Sequence, residues 1–368
     1  MCGQSEDWCI RMKELVEKGA GGVEFRRIVV EVKLLNPFKN FSLDVQSIEY
    51  RKDPLLDRWA RINMLRASRM KQTEEKDEKL FEKMVKESKV KCLFCPERVL
   101  NGTPMFTSEL VDSGRFKRNT FILFPNLFPF AKYHGVGIIS EDHHLELNSI
   151  SQDILRNCLV GCKDFFKLIA SKDPDARYIT ISLNHLPPAG ASIVHPHVQI
   201  IQDYKPTTML EKALKASENY YKNYGSYFWD DLVESEKILD KRFISSGNVL
   251  DWIASFAPLA DKEVIGIYRL HKECFTDLSN DKLAGMAKDI STMLSLLYNK
   301  LGVKSINMSI YSAPIGLKHK HFRVHVRIIS RVKPTALYTN DMGFMEILQA
   351  EPVVPSLPET TAHILRDR

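Results

Sequence analysis

The chain has 368 residues, 44% of them hydrophobic and 27% charged, a composition that can bury one large core or two ordinary ones. No run of eighteen apolar residues occurs, which argues against a membrane-spanning helix, and the opening MCGQSEDWCIRMKELVEKG lacks the basic start and apolar centre of a secretory signal, so a cytoplasmic protein is expected. The net charge of +6, from 52 Lys and Arg against 46 Asp and Glu, suits phosphate handling but shows no concentrated basic face of the kind a nucleic-acid binder presents.

In chain order, a helix-like segment (about 6–18) precedes two strand-like runs, 23–34 and 44–50. Asp53-Pro54 is the first clear punctuation, followed by LLDRWARINMLRASR. The run from Lys71 to Lys91 mixes both signs of charge and reads as a solvated helix. Residues 116–140 alternate β-rich and turn-prone pieces: FKRNTFILF, then PNLFPFAKYHG, then VGIIS. From about 151 to 170 a helix carries Ile154, Leu155, Cys158, Leu159, Cys162, Phe165 and Phe166 on one stripe. An alternating strand, Tyr178 to Leu183, then leads through a loop rich in Pro, Gly and Ala to the strand HVQII.

The same order recurs as FAPLA, EVIGIY, a helix from about 279 to 300, the strand INMSIY, a loop and VHVRII. HPHVQII at 195 matches RVHVRII at 323, an offset of 128 residues. Two tandem copies of one α+β unit are inferred, each an antiparallel sheet with packed helices. The expected division is an N-terminal extension (1–47), a first unit (48–205), a connecting segment (206–248) that could cover one face, and a second unit (249–368).

On a strand, His195, His197 and Gln199 project to one side. Three polar groups on one face are costly in a core unless they are used, and the preceding PPAGAS loop can bring backbone N–H groups close to an anion. An imidazole there can attack phosphorus and carry it as a phosphoramidate; the plainer alternative is a pair of strand histidines satisfied by hydrogen bonds. Cys92-Leu93-Phe94-Cys95 is half of a zinc site. Lacking a second such pair, the thiolates would need histidines, for which His143 or His144 and His195 are candidates. The plainer reading is two unmetallated thiols. The remaining cysteines (Cys2, Cys9, Cys158, Cys162 and Cys274) are scattered, which argues against a disulfide framework.

Over roughly residues 48–368 the chain resembles the galactose-1-phosphate uridylyltransferase branch of the histidine-triad superfamily. The stretch Asp53-Pro54-Leu55, Trp59 and Arg66-Ala67-Ser68-Arg69 is similar to the family's opening element, and the resemblance implies that Arg66 and Arg69 touch substrate phosphates. It further implies zinc ligands at Cys92, Cys95, His143 and His195, a nucleoside-holding element at Phe124-Pro125-Asn126, and a phosphate loop at Asn184, Gly190 and Ser192. His197 falls on the nucleophile and Gln199 on the glutamine that holds the transferred phosphoryl group.

Two stretches depart from the pattern. The family's second metal site, an iron site, meets Tyr311 and the pair His325-Val326-Arg327 here, so two ligand positions are lost, no iron is expected, and Arg327 is a candidate to meet an anion of the second substrate. Where the family reads a hexose, this chain has Gly343-Phe344-Met345-Glu346. Methionine cannot accept sugar hydroxyls, which leaves Phe344 and Glu346 as second-substrate candidates.

The resemblance thus implies a nucleotidyltransferase working by a ping-pong mechanism through a nucleotidyl-histidine. The two departures favour adenylyl transfer from adenylylsulfate or a nucleotide sugar to phosphate or another anionic acceptor. A galactose-pathway hexose-1-phosphate uridylyltransferase is the alternative; a non-catalytic nucleotide-binding protein is the alternative of another class, and a zinc-containing nucleic-acid binder is less favoured. A structural zinc, a small-molecule nucleotide partner, no membrane or nucleic-acid partner, and subunit pairing as a homodimer complete the expectation.

Overall fold

A computed structural model describes residues 12–68, 78–334 and 340–366. Two sheets organise it. The smaller begins with β1 (Met12–Lys18), β2 (Glu24–Asn36), β3 (Ser42–Lys52) and β4 (Trp59–Ile62), which pair antiparallel in succession. Sequence had suggested a helix over 6–18; the described part, 12–18, is instead a strand paired from Met12↔Val30 to Lys18↔Glu24. The hairpin partner overrides local propensity, and the Gly-rich turn between the strands packs tightly, since a Cβ on Gly19 would lie 2.1 Å from Ser235 Oγ. Strand β3 also runs through position 47, where the N-terminal extension was expected to end.

Helices α1 (Glu78–Val90) and α2 (Pro96–Gly102) flank the Cys92–Cys95 loop. The first repeat then lays down β5 (Phe116–Arg118), β6 (Phe121–Pro125), β7 (Tyr133–Ile138), α3 (Gln152–Lys172), β8 (Tyr178–His185) and β9 (His197–Asp203). Two helices, α4 (Thr208–Tyr224) and α5 (Phe228–Leu239), fill the connection. The second repeat follows as β10 (Phe243–Ser246), β11 (Leu250–Ala254), β12 (Val264–Tyr268), α6 (Asn280–Leu301), β13 (Ile306–Tyr311) and β14 (His325–Ser330). The chain closes with α7 (Phe344–Leu348), β15 (Val353–Val354) and α8 (Pro358–Leu365). Strand β15 joins the small sheet, parallel to β4.

The two repeats form one ten-stranded sheet in the order β10-β11-β12-β14-β13-β8-β9-β7-β6-β5. Its centre is the antiparallel pair β8 and β13, where Ser182 faces Ser309 and their hydroxyls lie 3.0 Å apart. The strand order is mirrored on either side of this pair, as tandem copies related by an approximate two-fold require. Alternation divides the faces. Ile181, Leu183, Val198, Ile200, Met308, Ile310, Val326 and Ile328 pack into one core with α3 and α6. The opposite face carries the polar set of both repeats.

That opposite face is covered unequally. Over the second repeat, α4 and α5 contribute Leu210, Ala213, Phe228, Trp229, Leu232 and Val233 to a core with Ile265, Ile267 and Phe322, which Val23, Phe25 and Ala60 of the small sheet extend. The connecting segment therefore closes one half of the sheet. Over the first repeat the cover is smaller, with Cys92, Phe94, Cys95 and Val99 packed on Phe124, Val136 and Ile138. No helix among the described residues is long and apolar enough to cross a membrane.

Candidate active site

His197 opens β9, and its ring is held by its own chain: Nδ1 lies 2.8 Å from the His195 carbonyl oxygen. A carbonyl only accepts, so Nδ1 carries the proton and Nε2 keeps its lone pair. Burial holds the ring's pKa below the ordinary 6.5, against the opposing pull of that hydrogen bond. A neutral imidazole with its free nitrogen set by a backbone acceptor is the form a nucleophile requires.

Gln199 lies two residues on, on the same face, half-buried beside Ser182 of β8 and Val136 of β7. Asn184, near the end of β8, enters the loop that returns to β9. This loop turns at Leu186 (φ +71°) and Gly190 (φ +85°). The second value lies where glycine is favoured, and space alone would not demand it, since a Cβ there meets nothing nearer than Asn184 Nδ2 at 4.0 Å. Asn307 of β13 clamps the loop from the other repeat, donating to Asn184 Oδ1 at 2.8 Å and to the Ala189 carbonyl at 2.7 Å. Ser192 is exposed beyond the turn.

Cys92, Cys95, His143 and His195 converge with ligand atoms all within 4.8 Å of one another, every one of the four buried. Cys95 Sγ is 3.5 Å from His143 Nδ1 and 3.7 Å from His195 Nδ1. Sulfur and nitrogen ligands around a tetrahedral zinc stand about 3.6 Å apart, given bond lengths of about 2.3 and 2.1 Å. The remote ring nitrogens are engaged: His195 Nε2 lies 2.8 Å from the Ser140 carbonyl and His143 Nε2 lies 2.9 Å from Ser88 Oγ. Such outer partners orient ligating imidazoles. Burial and the neighbouring Cys92 push the Cys95 thiol up to about 11, while burial takes His195 down to about 4. A buried set of two thiols and two neutral imidazoles fits a soft or borderline divalent cation, which would stabilise the thiolates.

Phe124 is buried against the edge of Phe94 (centroids 5.4 Å apart), and Phe94 also meets His197 edge-on at 5.3 Å. Asn126 accepts the Phe128 N–H at 2.9 Å through Oδ1. His134, within the turn-prone stretch 125–135, lies on β7 with Nε2 2.9 Å from Gln199 Oε1. Only the strand register places it there.

The other expected residues lie apart from this cluster. Arg66 is exposed and lines a cavity of about 670 Å³ with Lys262, Arg331, Phe344 and Glu346. Arg69 lies outside the described residues. Two second-substrate candidates have partners within the fold. Arg327 is buried and pairs with Glu263 at 2.7 Å, so its charge is neutralised internally, as a charge away from water demands. Glu346 accepts the Gly343 and Val353 N–H groups at 2.8 and 3.0 Å, one on each oxygen, and so secures its own segment. Phe344 is 68% exposed and open to contact.

No family model matches the chain. It is 29% identical over 351 residues to an uncharacterized protein of Archaeoglobus fulgidus, covering 94% of this chain and 98% of that one. ADP-glucose phosphorylase of Arabidopsis thaliana is 22% identical over 350 residues, 89% of this chain and 94% of the relative. A crystal structure of an ADP-glucose phosphorylase from the same plant, with bound ADP-glucose, matches with a TM-score of 0.68 and 20% identity over 87% of this chain and 99% of that chain. A uridylyltransferase structure matches with a TM-score of 0.63 and 20% identity over 86% and 96%.

Proposed function

We propose that the chain, which shares the fold of the ADP-glucose phosphorylase and uridylyltransferase structures, is a nucleotidyltransferase of the galactose-1-phosphate uridylyltransferase-like branch with His197 as nucleophile. The observation that carries the reading is the His197 Nδ1 contact to the His195 carbonyl, which leaves Nε2 unprotonated on the same strand face as Gln199. Nε2 attacks the α-phosphorus of a nucleotide donor, a P–N bond forms, and the P–O bond to the departing group breaks. The Gln199 amide and Ser192 face the charge that develops on the phosphoryl oxygens. An anionic acceptor then attacks the same phosphorus and releases His197. One phosphate pocket serves both halves in turn.

Phe124 and Asn126 hold the nucleoside in this reading. A zinc ion held by Cys92, Cys95, His143 and His195 would tie the 92–95 loop to the nucleophile strand, with four protein ligands leaving no open position. Replacing Cys95 by serine (Cys95→Ser) is expected to lower the zinc content of purified protein, measured per chain.

Adenylyl transfer to phosphate, from ADP-glucose or adenylylsulfate, is the preferred chemistry, supported by likeness to an ADP-glucose phosphorylase at both sequence and structure level. Uridylyl transfer to a hexose phosphate is the second reading, supported by the uridylyltransferase match. A panel of ADP-glucose, adenylylsulfate, UDP-glucose and a diadenosine polyphosphate, each offered with phosphate, separates them by the nucleoside diphosphate released. Activity confined to UDP-glucose with galactose-1-phosphate overturns the adenylyl preference. Absence of any nucleotidyl-protein adduct by intact mass, with all four donors, overturns the transferase reading.

A further inference from the structure

His134 is 3% exposed and lies on β7, which pairs directly with β9. The register sets His134 opposite Ile201, so Gln199, two residues back on the same face, is its diagonal neighbour and within reach of a long side chain. Three groups surround the ring. Nδ1 faces the Phe130 backbone N–H at 3.4 Å; Nε2 faces Gln199 Oε1 at 2.9 Å; and Asn126 Nδ2 stands 3.3 Å from Nε2. The Phe130 ring packs on the imidazole with centroids 4.1 Å apart.

The Phe130 N–H and the Gln199 oxygen determine where the ring proton sits; the Asn126 amide, whose Oδ1 is taken by the Phe128 N–H, approaches Nε2 as a second donor at the longer distance and makes no hydrogen bond to it. A backbone N–H can only donate, so Nδ1 must accept and cannot carry hydrogen. Burial holds the ring neutral, because it lowers the pKa from the ordinary 6.5. The single ring proton is therefore on Nε2 and is donated to Gln199 Oε1. With that oxygen occupied, both amide N–H groups of Gln199 are turned away from His134 and remain available as donors. The reverse orientation of the Gln199 amide would need the proton on Nδ1, against the Phe130 N–H.

We infer that His134 is a positioning residue that fixes the amide of Gln199, so that its NH₂ rather than its oxygen meets the transferred phosphoryl group. A glutamine free to rotate by half a turn would present an acceptor to an anion in one of its two orientations. The Phe130 amide, in the loop after Asn126, sets the tautomer, and the tautomer sets the glutamine. The nucleoside-side loop and the phosphoryl-binding strand are thereby wired together through one imidazole. The role in transfer rests on the nucleotidyltransferase reading above; the wiring itself can be read without turnover.

Two measurements test it. Long-range ¹H–¹⁵N correlation on the wild-type protein at neutral pH should show His134 as the neutral Nε2–H tautomer; an Nδ1–H tautomer or an imidazolium overturns the wiring whatever the protein catalyses. Kinetically, His134→Leu should slow nucleotidyl-His197 formation about tenfold or more, less than the ~10²–10³ that loss of an oxyanion donor costs. His134→Gln, which keeps an N–H near the Nε2 position, should recover most of that rate. In a Gln199→Ala background His134→Leu should cost nothing further, because a residue acting only through Gln199 has nothing left to position. An undiminished loss in that background overturns the inference. Wild-type protein that forms no adduct would instead overturn the nucleotidyltransferase reading, and with it any role for His134 in transfer.

Discussion

Strands β9 and β14 occupy equivalent places in the two repeats and keep the same local device. His325 directs Nδ1 at the Arg323 carbonyl from 2.9 Å, as His197 directs Nδ1 at the His195 carbonyl from 2.8 Å. Their surroundings differ. His197 meets one ring edge, that of Phe94, whereas His325 lies between Tyr311 (4.8 Å, interplanar 2°) and Trp229 of α5 (4.2 Å, 28°). The neighbour two residues on is Gln199 in one strand, with an amide to offer, and Arg327 in the other, neutralised by Glu263. Two imidazoles with the same backbone hydrogen bond thus serve as a candidate nucleophile and as a core aromatic. The difference lies in what covers each, so backbone geometry is insufficient to make a reactive histidine.

The comparison can be broken most directly by exchanging its two histidines. His197→Gly should abolish the nucleotidyl adduct and lower turnover by at least ~10⁴-fold, whereas His325→Ala should leave adduct formation intact and lower unfolding free energy by about 3 kcal/mol, as loss of a buried ring does. Intact mass and urea denaturation read the two effects separately, and loss of the adduct in His325→Ala would show that the second repeat takes part in the chemistry. Next in size, Arg327→Met should destabilise by about 3–5 kcal/mol through the uncompensated Glu263, visible as a lower urea midpoint. An unchanged midpoint together with a raised KM for the anionic acceptor would return Arg327 to the substrate.

Smaller effects sharpen the contrast. Asn307→Ala removes the clamp on Asn184 and Ala189, and kcat/KM should fall about five- to tenfold, the scale of one or two hydrogen bonds; no change would mean that the loop holds its shape unaided. The pH dependence falls on different readouts in the two roles, the rate for His197 and the stability for His325. Adduct formation needs neutral His197, whose pKa burial lowers, so the rate should fall to half its plateau at a pH below the ordinary histidine 6.5. For His325, burial and then Arg327 hold the folded pKa down to about 3. The unfolded chain therefore binds the extra proton first, and stability should fall as pH drops from about 6.5 toward 3. Thermal melts of His325→Gln should show a shallower decline across that window; an equal decline would place the titration elsewhere.

Much of the fold was legible because each repeat writes its own periodicity. The stripe from Ile154 to Phe166 and the alternation through Tyr178–Leu183 became α3 and β8. The two Cys, His143 and His195 do converge, as resemblance implied. Residues 12–18 misled because Leu15, Val16 and their charged neighbours suit a helix as well as a strand, and only pairing with β2 decides. His134 carried no local signal, since its importance comes from a partner 65 positions away.

The sequence by itself determined the repeated unit, the one-sided placement of His195, His197 and Gln199, and the Cys92–Cys95 half of a metal site, because strand alternation and short spacings are local properties of the chain; the histidine ligands came from the family resemblance. Tertiary structure alone decided that α4 and α5 bury the second histidine face, that Glu263 takes the charge of Arg327, and that His134 faces Gln199. Those outcomes depend on which surfaces meet once the strands pair. Burial and counter-charges then determine whether a side chain is packed, neutralised or left free to react.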